Sequence, residues 1–178
     1  MTESITTTVV RLNVIRYSEL VIIVVFMVIP VFVHAGQFPE SAPSFTLSDL
    51  NGKSVSLAEF RNDIVFLVFW ASWCSPCREE LPELDLIYSK FKQESFEVIA
   101  VSVDVSNKAV VNFLHKFPVS FTVLLDKQGD VNDAYRISGL PTSFVIGRKG
   151  IIRHVHFGFS KELLPIYEKE IADLIKQK

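Results

Sequence analysis

Cys74 and Cys77 are the only cysteines among the chain's 178 residues, and two residues separate them. A disulfide across that spacing closes almost no loop, so it constrains the unfolded chain little and makes a poor structural staple. The same spacing suits thiol–disulfide exchange, in which one thiolate attacks a disulfide and a second resolves the mixed species. The flanking residues supply what that chemistry needs. Ile64 to Trp70 (IVFLVFW) is a continuous β-branched and aromatic run, the pattern of a strand buried on both faces, and it leads straight to Trp73 and Cys74. From Ser75 onward Leu81, Leu84, Tyr88 and Phe91 recur at helical spacing between charged residues. Cys74 is thereby expected at a helix start, where unpaired N–H groups and the macrodipole favour a thiolate. Pro76 is tolerated in that first turn because its missing N–H has no helical partner, and it holds the two sulfurs at bridging distance. Cys74 is the expected nucleophile and Cys77, one turn further in, the resolving thiol.

Metal binding is the rival chemistry for such a pair. Structural zinc takes four ligands, and none of the histidines (His34, His115, His154, His156) lies near the cysteines in sequence. His154 and His156 share one strand face and are the two that could reach a metal in principle. Copper held by the two thiolates would be helped by a methionine ligand, but Met1 and Met27 are the only methionines. No metal site is therefore expected, and no cofactor beyond the redox-active disulfide; a copper-binding module remains an alternative of a different class.

The elements that must position the pair follow from periodicity. Phe45–Leu47 and Val55–Leu57 flank Asp49-Leu50-Asn51-Gly52, so a small N-terminal β-hairpin is expected, with a helical turn near Ala58–Phe60. Phe96–Val103 and Phe121–Leu125 read as further strands, Asn107–Phe117 and Val131–Ile137 as helices. Phe144–Ile146 and Ile151–Phe157 read as a strand pair around Arg148-Lys149-Gly150, followed by an amphipathic helix from Lys161 to about Ile175. Strands alternating with helices, then a hairpin and a helix, indicate an α/β fold: a central mixed sheet with helices on both faces.

The N-terminus carries a different signal. Leu20 to Val33 is an uncharged apolar run of fourteen residues, preceded by Arg11 and Arg16 and interrupted by Pro30. That is short for a membrane span and right for a secretory h-region. Val33-His34-Ala35 offers small residues for cleavage, so residues 1–35 are expected to be a signal peptide or an uncleaved membrane anchor, and residues 36–178 the working domain outside the cytoplasm. Net charge is −2, from 18 basic and 20 acidic residues, which gives no footprint for nucleic acid.

Phe69-Trp70-Ala71-Ser72-Trp73-Cys74-Ser75-Pro76-Cys77, Gly139-Leu140-Pro141-Thr142-Ser143-Phe144 and Ala42-Pro43-Ser44-Phe45-Thr46-Leu47 occur in that family's arrangement and together resemble the TlpA/ResA-like branch of the thioredoxin superfamily. The resemblance covers roughly residues 42–160. It implies a thioredoxin-like fold and an extracytoplasmic, periplasmic thiol–disulfide oxidoreductase that serves client proteins with disulfides or thiols, in cytochrome c maturation or metal-centre assembly, and is recharged by a membrane electron donor. It also implies that Pro141 is a cis-proline beside the sulfurs and that the Leu140 backbone pairs with a bound client. Trp73, next to Cys74, reads either as an exposed aromatic that shapes the docking surface or as local packing beside the pair. Pro82 matches the kinked active-site helix of such proteins. Glu80, three residues after Cys77 and so on its helix face, matches a glutamate that tunes the thiols and transfers protons in ResA-like members. The other reading of Glu80 is one more solvated acid beside Glu79, Glu83 and Asp85.

One departure from the resemblance and two further positions narrow the expected chemistry. Val68 stands where thioredoxins carry a buried aspartate, which leaves proton handling for Cys77 to Glu80 or water. Thr142 replaces the glutamate that dedicated cytochrome c reductases tend to carry after the cis-proline. Ala71 stands where a peroxidase would need threonine, three residues before the reactive cysteine, which discounts that activity. Redox direction is not legible: reductase is the leading expectation, dithiol oxidase its alternative.

Overall fold

A computed structural model describes residues 38–177; the apolar N-terminal run and the expected boundary at Ala35 lie outside them. Its strands are β1 (Thr46–Asp49), β2 (Ser54–Ser56), β3 (Ile64–Trp70), β4 (Phe96–Ser102), β5 (Thr122–Leu125), β6 (Thr142–Ile146) and β7 (Ile152–Phe157). Its helices are α1 (Ser75–Phe91), α2 (Asn107–Lys116), α3 (Asp130–Ala134) and α4 (Leu164–Lys176), with 3-10 turns at Leu57–Phe60 and Lys161–Leu163. The strands form one mixed sheet in the order β2-β1-β5-β4-β3-β6-β7. The central strands β3, β4 and β5 run parallel, while β6 lies antiparallel to β3 and β7 antiparallel to β6. The fold is thioredoxin-like.

β3 shows why a continuous apolar run was needed. Its side chains alternate, Ile64, Phe66, Val68 and Trp70 entering one apolar layer and Val65, Leu67 and Phe69 the other. The first layer is closed by Leu81, Leu84 and Ile87 of α1, Val110 and Phe113 of α2, and Tyr167, Ile171 and Leu174 of α4. The second is closed by Val131 of α3, Tyr135, and Phe45 and Val55 of the hairpin region. Helices thus cover both faces, but unequally: three long ones on the cysteine side, one short one opposite. Full burial of each large aliphatic side chain contributes about 1.5–3 kcal/mol, so the layer under α1 is the main anchor of the cysteine-bearing helix.

The N-terminal hairpin forms as expected. Asp49 Oδ1 accepts hydrogen bonds from the N–H groups of Asn51 and Lys53, both at 2.8 Å, and Gly52 takes φ +82°, which a side chain would resist. β1 then pairs antiparallel with β5, so the hairpin extends the main sheet.

Two helices differ from the sequence expectation. α3 stops at Ala134, because Arg136 adopts φ +55° and turns the chain out of the helix. The C-terminal segment starts as a 3-10 turn and becomes α-helical at Leu164, with Pro165 in the first turn, the position where its missing N–H is tolerated. In α4 Ile166 faces outward rather than into the core. Among the described residues no helix is long and apolar enough to cross a membrane.

Candidate active site

β3 ends at Trp70, and within four residues the chain has turned into α1 with Cys74 as its N-cap. The Cys77 N–H donates to Cys74 Sγ at 3.3 Å, so an orphan amide of the first turn is aimed at the first sulfur. The two cysteines are joined as a disulfide with Cα atoms 5.3 Å apart. Cys77 is fully buried and Cys74 nearly so. On reduction, the first turn's amides and the helix dipole would stabilise negative charge on Cys74.

The turn between β3 and α1 is held from the neighbouring strand. Asp104, buried just past β4, accepts from the Ser72 N–H and Ser72 Oγ, both at 2.7 Å, and from Ser102 Oγ at 2.9 Å. Hydrogen bonds to a carboxylate are among the stronger kind, so Asp104 fixes the loop that presents Trp73 and Cys74. Sequence reasoning missed this residue; its signal was an acid directly after an apolar strand.

The Leu140–Pro141 peptide is cis. The Pro141 carbonyl accepts from the Gly158 N–H at 2.8 Å, and Thr142 Oγ1 donates to the Gly139 carbonyl at 2.7 Å, pinning the segment before β6. Leu140 lines one groove of about 500 Å³ together with Trp73, Cys74, Ser75 and Pro76. Segments about sixty residues apart in sequence therefore meet at the reactive sulfur. Trp73 stands at the groove's edge with 67% of its surface exposed. α1 continues through Pro82, which cannot donate to the carbonyl four residues before it.

Glu80 is not part of a solvated acidic face. It is fully buried on the core side of α1, while Glu79 is exposed. Its Oε1 accepts from Tyr167 Oη at 3.0 Å and from Ser143 Oγ at 3.1 Å, and its Oε2 is buried with no partner. Burial pushes its pKa up from 4.5 to about 7, against the lowering effect of the Tyr167 and Ser143 hydrogen bonds. Val68 is fully buried in the same apolar layer as Cys77 and sits opposite Ser143 in the β3–β6 register. In this region the buried carboxyl is supplied by α1, at Glu80, and β3 contributes the apolar Val68. Ser143 and Tyr167 were not singled out from sequence, because they lie 63 and 87 residues from Glu80.

The histidine pair has a different use. His154 Nδ1 and His156 Nε2 lie 3.2 and 2.8 Å from the two carboxylate oxygens of Glu170, so both rings turn to one acid on α4. Among the described residues no group of three potential ligands is arranged to hold a metal.

Residues 39–155 match the model of the AhpC/TSA family. The chain is 38% identical over 134 residues to the thiol-disulfide oxidoreductase ResA of Bacillus thuringiensis subsp. konkukian, covering 75% of this chain and 78% of the relative. It is 42% identical over 121 residues to ResA of Bacillus subtilis, covering 68% of each. Among solved structures it resembles a putative thiol:disulfide interchange protein DsbE from Chlorobium tepidum, at 35% identity and a TM-score of 0.74, covering 78% of this chain and 97% of the other.

Proposed function

The chain belongs to the AhpC/TSA family and, within it, to the ResA-like thiol–disulfide oxidoreductases; from that premise we propose that it works outside the cytoplasm as a reductant of client-protein disulfides. The observation that carries the reading is Cys74 as the cap of α1, with the Cys77 amide directed at its sulfur and Leu140 across the same groove. The N-terminal apolar run, as cleaved leader or anchor, supports an extracytoplasmic site.

In the reaction, the Cys74 thiolate attacks one sulfur of a client disulfide, forming a mixed disulfide while the client's other sulfur leaves as thiolate. Cys77, once deprotonated, attacks Cys74 Sγ, closing the Cys74–Cys77 disulfide and releasing the client's second sulfur. Two electrons pass to the client. Glu80 is the group beside Cys77 on the helix that can take its proton, since a carboxyl with a pKa of about 7 exists in both forms near neutrality. The Leu140 backbone pairs with the client strand beside Pro141, and Trp73 and Pro76 shape the approach. A membrane electron donor reduces the disulfide again. Apocytochromes c and metal-centre assembly proteins are the client classes that fit.

The test is the reduction potential of the pair, measured by equilibration against dithiothreitol buffers, with Cys77→Ser as the control that traps the mixed disulfide. A value of about −250 mV or lower places it with reductants, and one near about −120 mV makes it a dithiol oxidase. Failure to form the disulfide at any potential would remove the redox reading.

A further inference from the structure

Glu80 is held in an asymmetric way. Both of its donors, Tyr167 Oη and Ser143 Oγ, converge on Oε1, and Oε2 is left buried and unpartnered. A carboxylate oxygen has two lone pairs, so Oε1 is saturated and Oε2 alone remains open to gain or lose a proton.

The donors are themselves fixed. The Tyr167 ring packs between Phe66 of β3, with centroids 4.9 Å apart, and His156 of β7, at 4.8 Å. Ser143 is locked in the sheet opposite Val68 on one side and His156 on the other. Neither hydroxyl reaches Glu80 by a flexible surface arm; two elements of the core, β6 and α4, converge on one oxygen of α1.

We propose that Tyr167, assisted by Ser143, is a positioning residue for the redox step: it binds Glu80 Oε1 and so assigns Oε2 as the atom that exchanges a proton with Cys77. This rests on the reading of Glu80 as the proton carrier. The geometry has a direct chemical consequence. A phenol that donates to a carboxylate favours the ionised form, which is the form that must exist to accept the Cys77 proton. Tyr167 therefore opposes the burial that would otherwise keep Glu80 protonated and idle as a base. The titratable groups of this region are Tyr167 from α4, which donates to the carboxyl, and Cys77, three residues before Glu80 on α1, with His156 of β7 and Glu170 of α4 behind the tyrosine ring. β3 presents Val68, which does not titrate.

The test uses the full chain carrying Tyr167→Phe, which keeps the ring and removes only the hydroxyl, with Ser143→Ala as a second variant. Carbon-13 carboxyl NMR of the oxidised protein, with the Glu80 resonance identified by its loss in Glu80→Gln, follows the titration directly and needs no client. Losing one hydrogen bond to an ionised acceptor should tighten proton binding at Glu80 about tenfold. The rate at which Cys77 resolves the mixed disulfide should fall at neutral pH and recover as pH rises. In a Glu80→Gln background Tyr167→Phe should change that rate no further. An unmoved Glu80 titration in both variants overturns the proposal, as does an equal rate loss in the Glu80→Gln background, which would mark Tyr167 as ordinary packing. A shifted titration combined with a Glu80→Gln variant of unaltered pH–rate profile would uphold the anchoring of Oε1 but refute Glu80 as the proton carrier, and with it the redox role proposed for Tyr167.

Discussion

Glu80→Gln removes the carboxyl buried against the apolar layer beneath the cysteines, and the structure sets both the sign and the size of the consequence. In the folded, oxidised protein burial raises the Glu80 pKa from 4.5 to about 7. Between those values the folded state binds more protons than the unfolded chain, so stability falls as pH rises. The contribution is fully present below the unfolded value, is lost through the window up to about 7, and then levels off. At about 1.4 kcal/mol per pH unit of difference, the whole loss is about 3 kcal/mol. Glutamine does not titrate. It keeps an acceptor for Tyr167 and Ser143 but buries an amide where Oε2 stood, an offset of about 1–3 kcal/mol that does not depend on pH. Urea unfolding of the oxidised protein and of Glu80→Gln, from about pH 4 to about pH 8.5, separates the two effects. The wild-type stability should decline relative to the variant by about 3 kcal/mol across the range. Every other ionisable group is common to the two proteins, so its contribution cancels in the difference. Curves that stay parallel within about 0.5 kcal/mol would refute the reasoning, because Glu80 would then be charged in the fold at no cost.

Further outcomes follow from the same geometry. Asp104→Ala deprives the Ser72 N–H, Ser72 Oγ and Ser102 Oγ of their acceptor; unfolding should be easier by about 2–3 kcal/mol, with slower turnover as the loop carrying Cys74 loosens, both measurable on one variant. Trp73→Ala removes an exposed ring, so stability should change by no more than about 0.5 kcal/mol. Its kcat/KM should drop for a protein client while holding for glutathione disulfide, a contrast read by comparing the two substrates. Leu81→Ala opens a cavity between α1 and the sheet and should cost about 2–5 kcal/mol in urea denaturation.

Much of the scaffold is legible one segment at a time. The run IVFLVFW coincides with β3 because a strand buried on both faces must be apolar throughout. Asn51-Gly52 marks its turn because glycine takes a positive φ without strain. Cys74 lands at the start of α1 because Pro76 and the spacing of Leu81 and Leu84 set that helix's beginning and phase. The cis geometry at Pro141 was different in kind: it came from likeness to a family motif, since nothing local in the dipeptide favours it over the commoner trans form.

The two helices that departed from expectation did so at backbone details that apolar spacing does not encode. Ile137 continues the pattern after Val131, but Arg136 leaves the helical region first. Ile166 is grouped with the apolar positions of α4, yet it faces solvent, because one residue is roughly 100° of helix rotation from Tyr167, which with Ile171 and Leu174 forms the buried face.

The sequence by itself determined the chemistry: two cysteines at a helix start can exchange electrons with disulfides, and little else in the chain can. Tertiary structure alone decided the environment that tunes them. Glu79 and Glu80 are adjacent identical residues, one exposed and one sealed under the sheet. What distinguishes them is the set of partners at Ser143 and Tyr167, brought by sheet register and by the docking of α4. The same holds for Asp104 under Ser72, for Glu170 between His154 and His156, and for the hairpin's choice of β5 as its neighbour. Periodicity and turn chemistry act over a few residues and can be read there. A hydrogen bond between groups tens of residues apart depends on how whole elements pack, and that is settled only when the core closes.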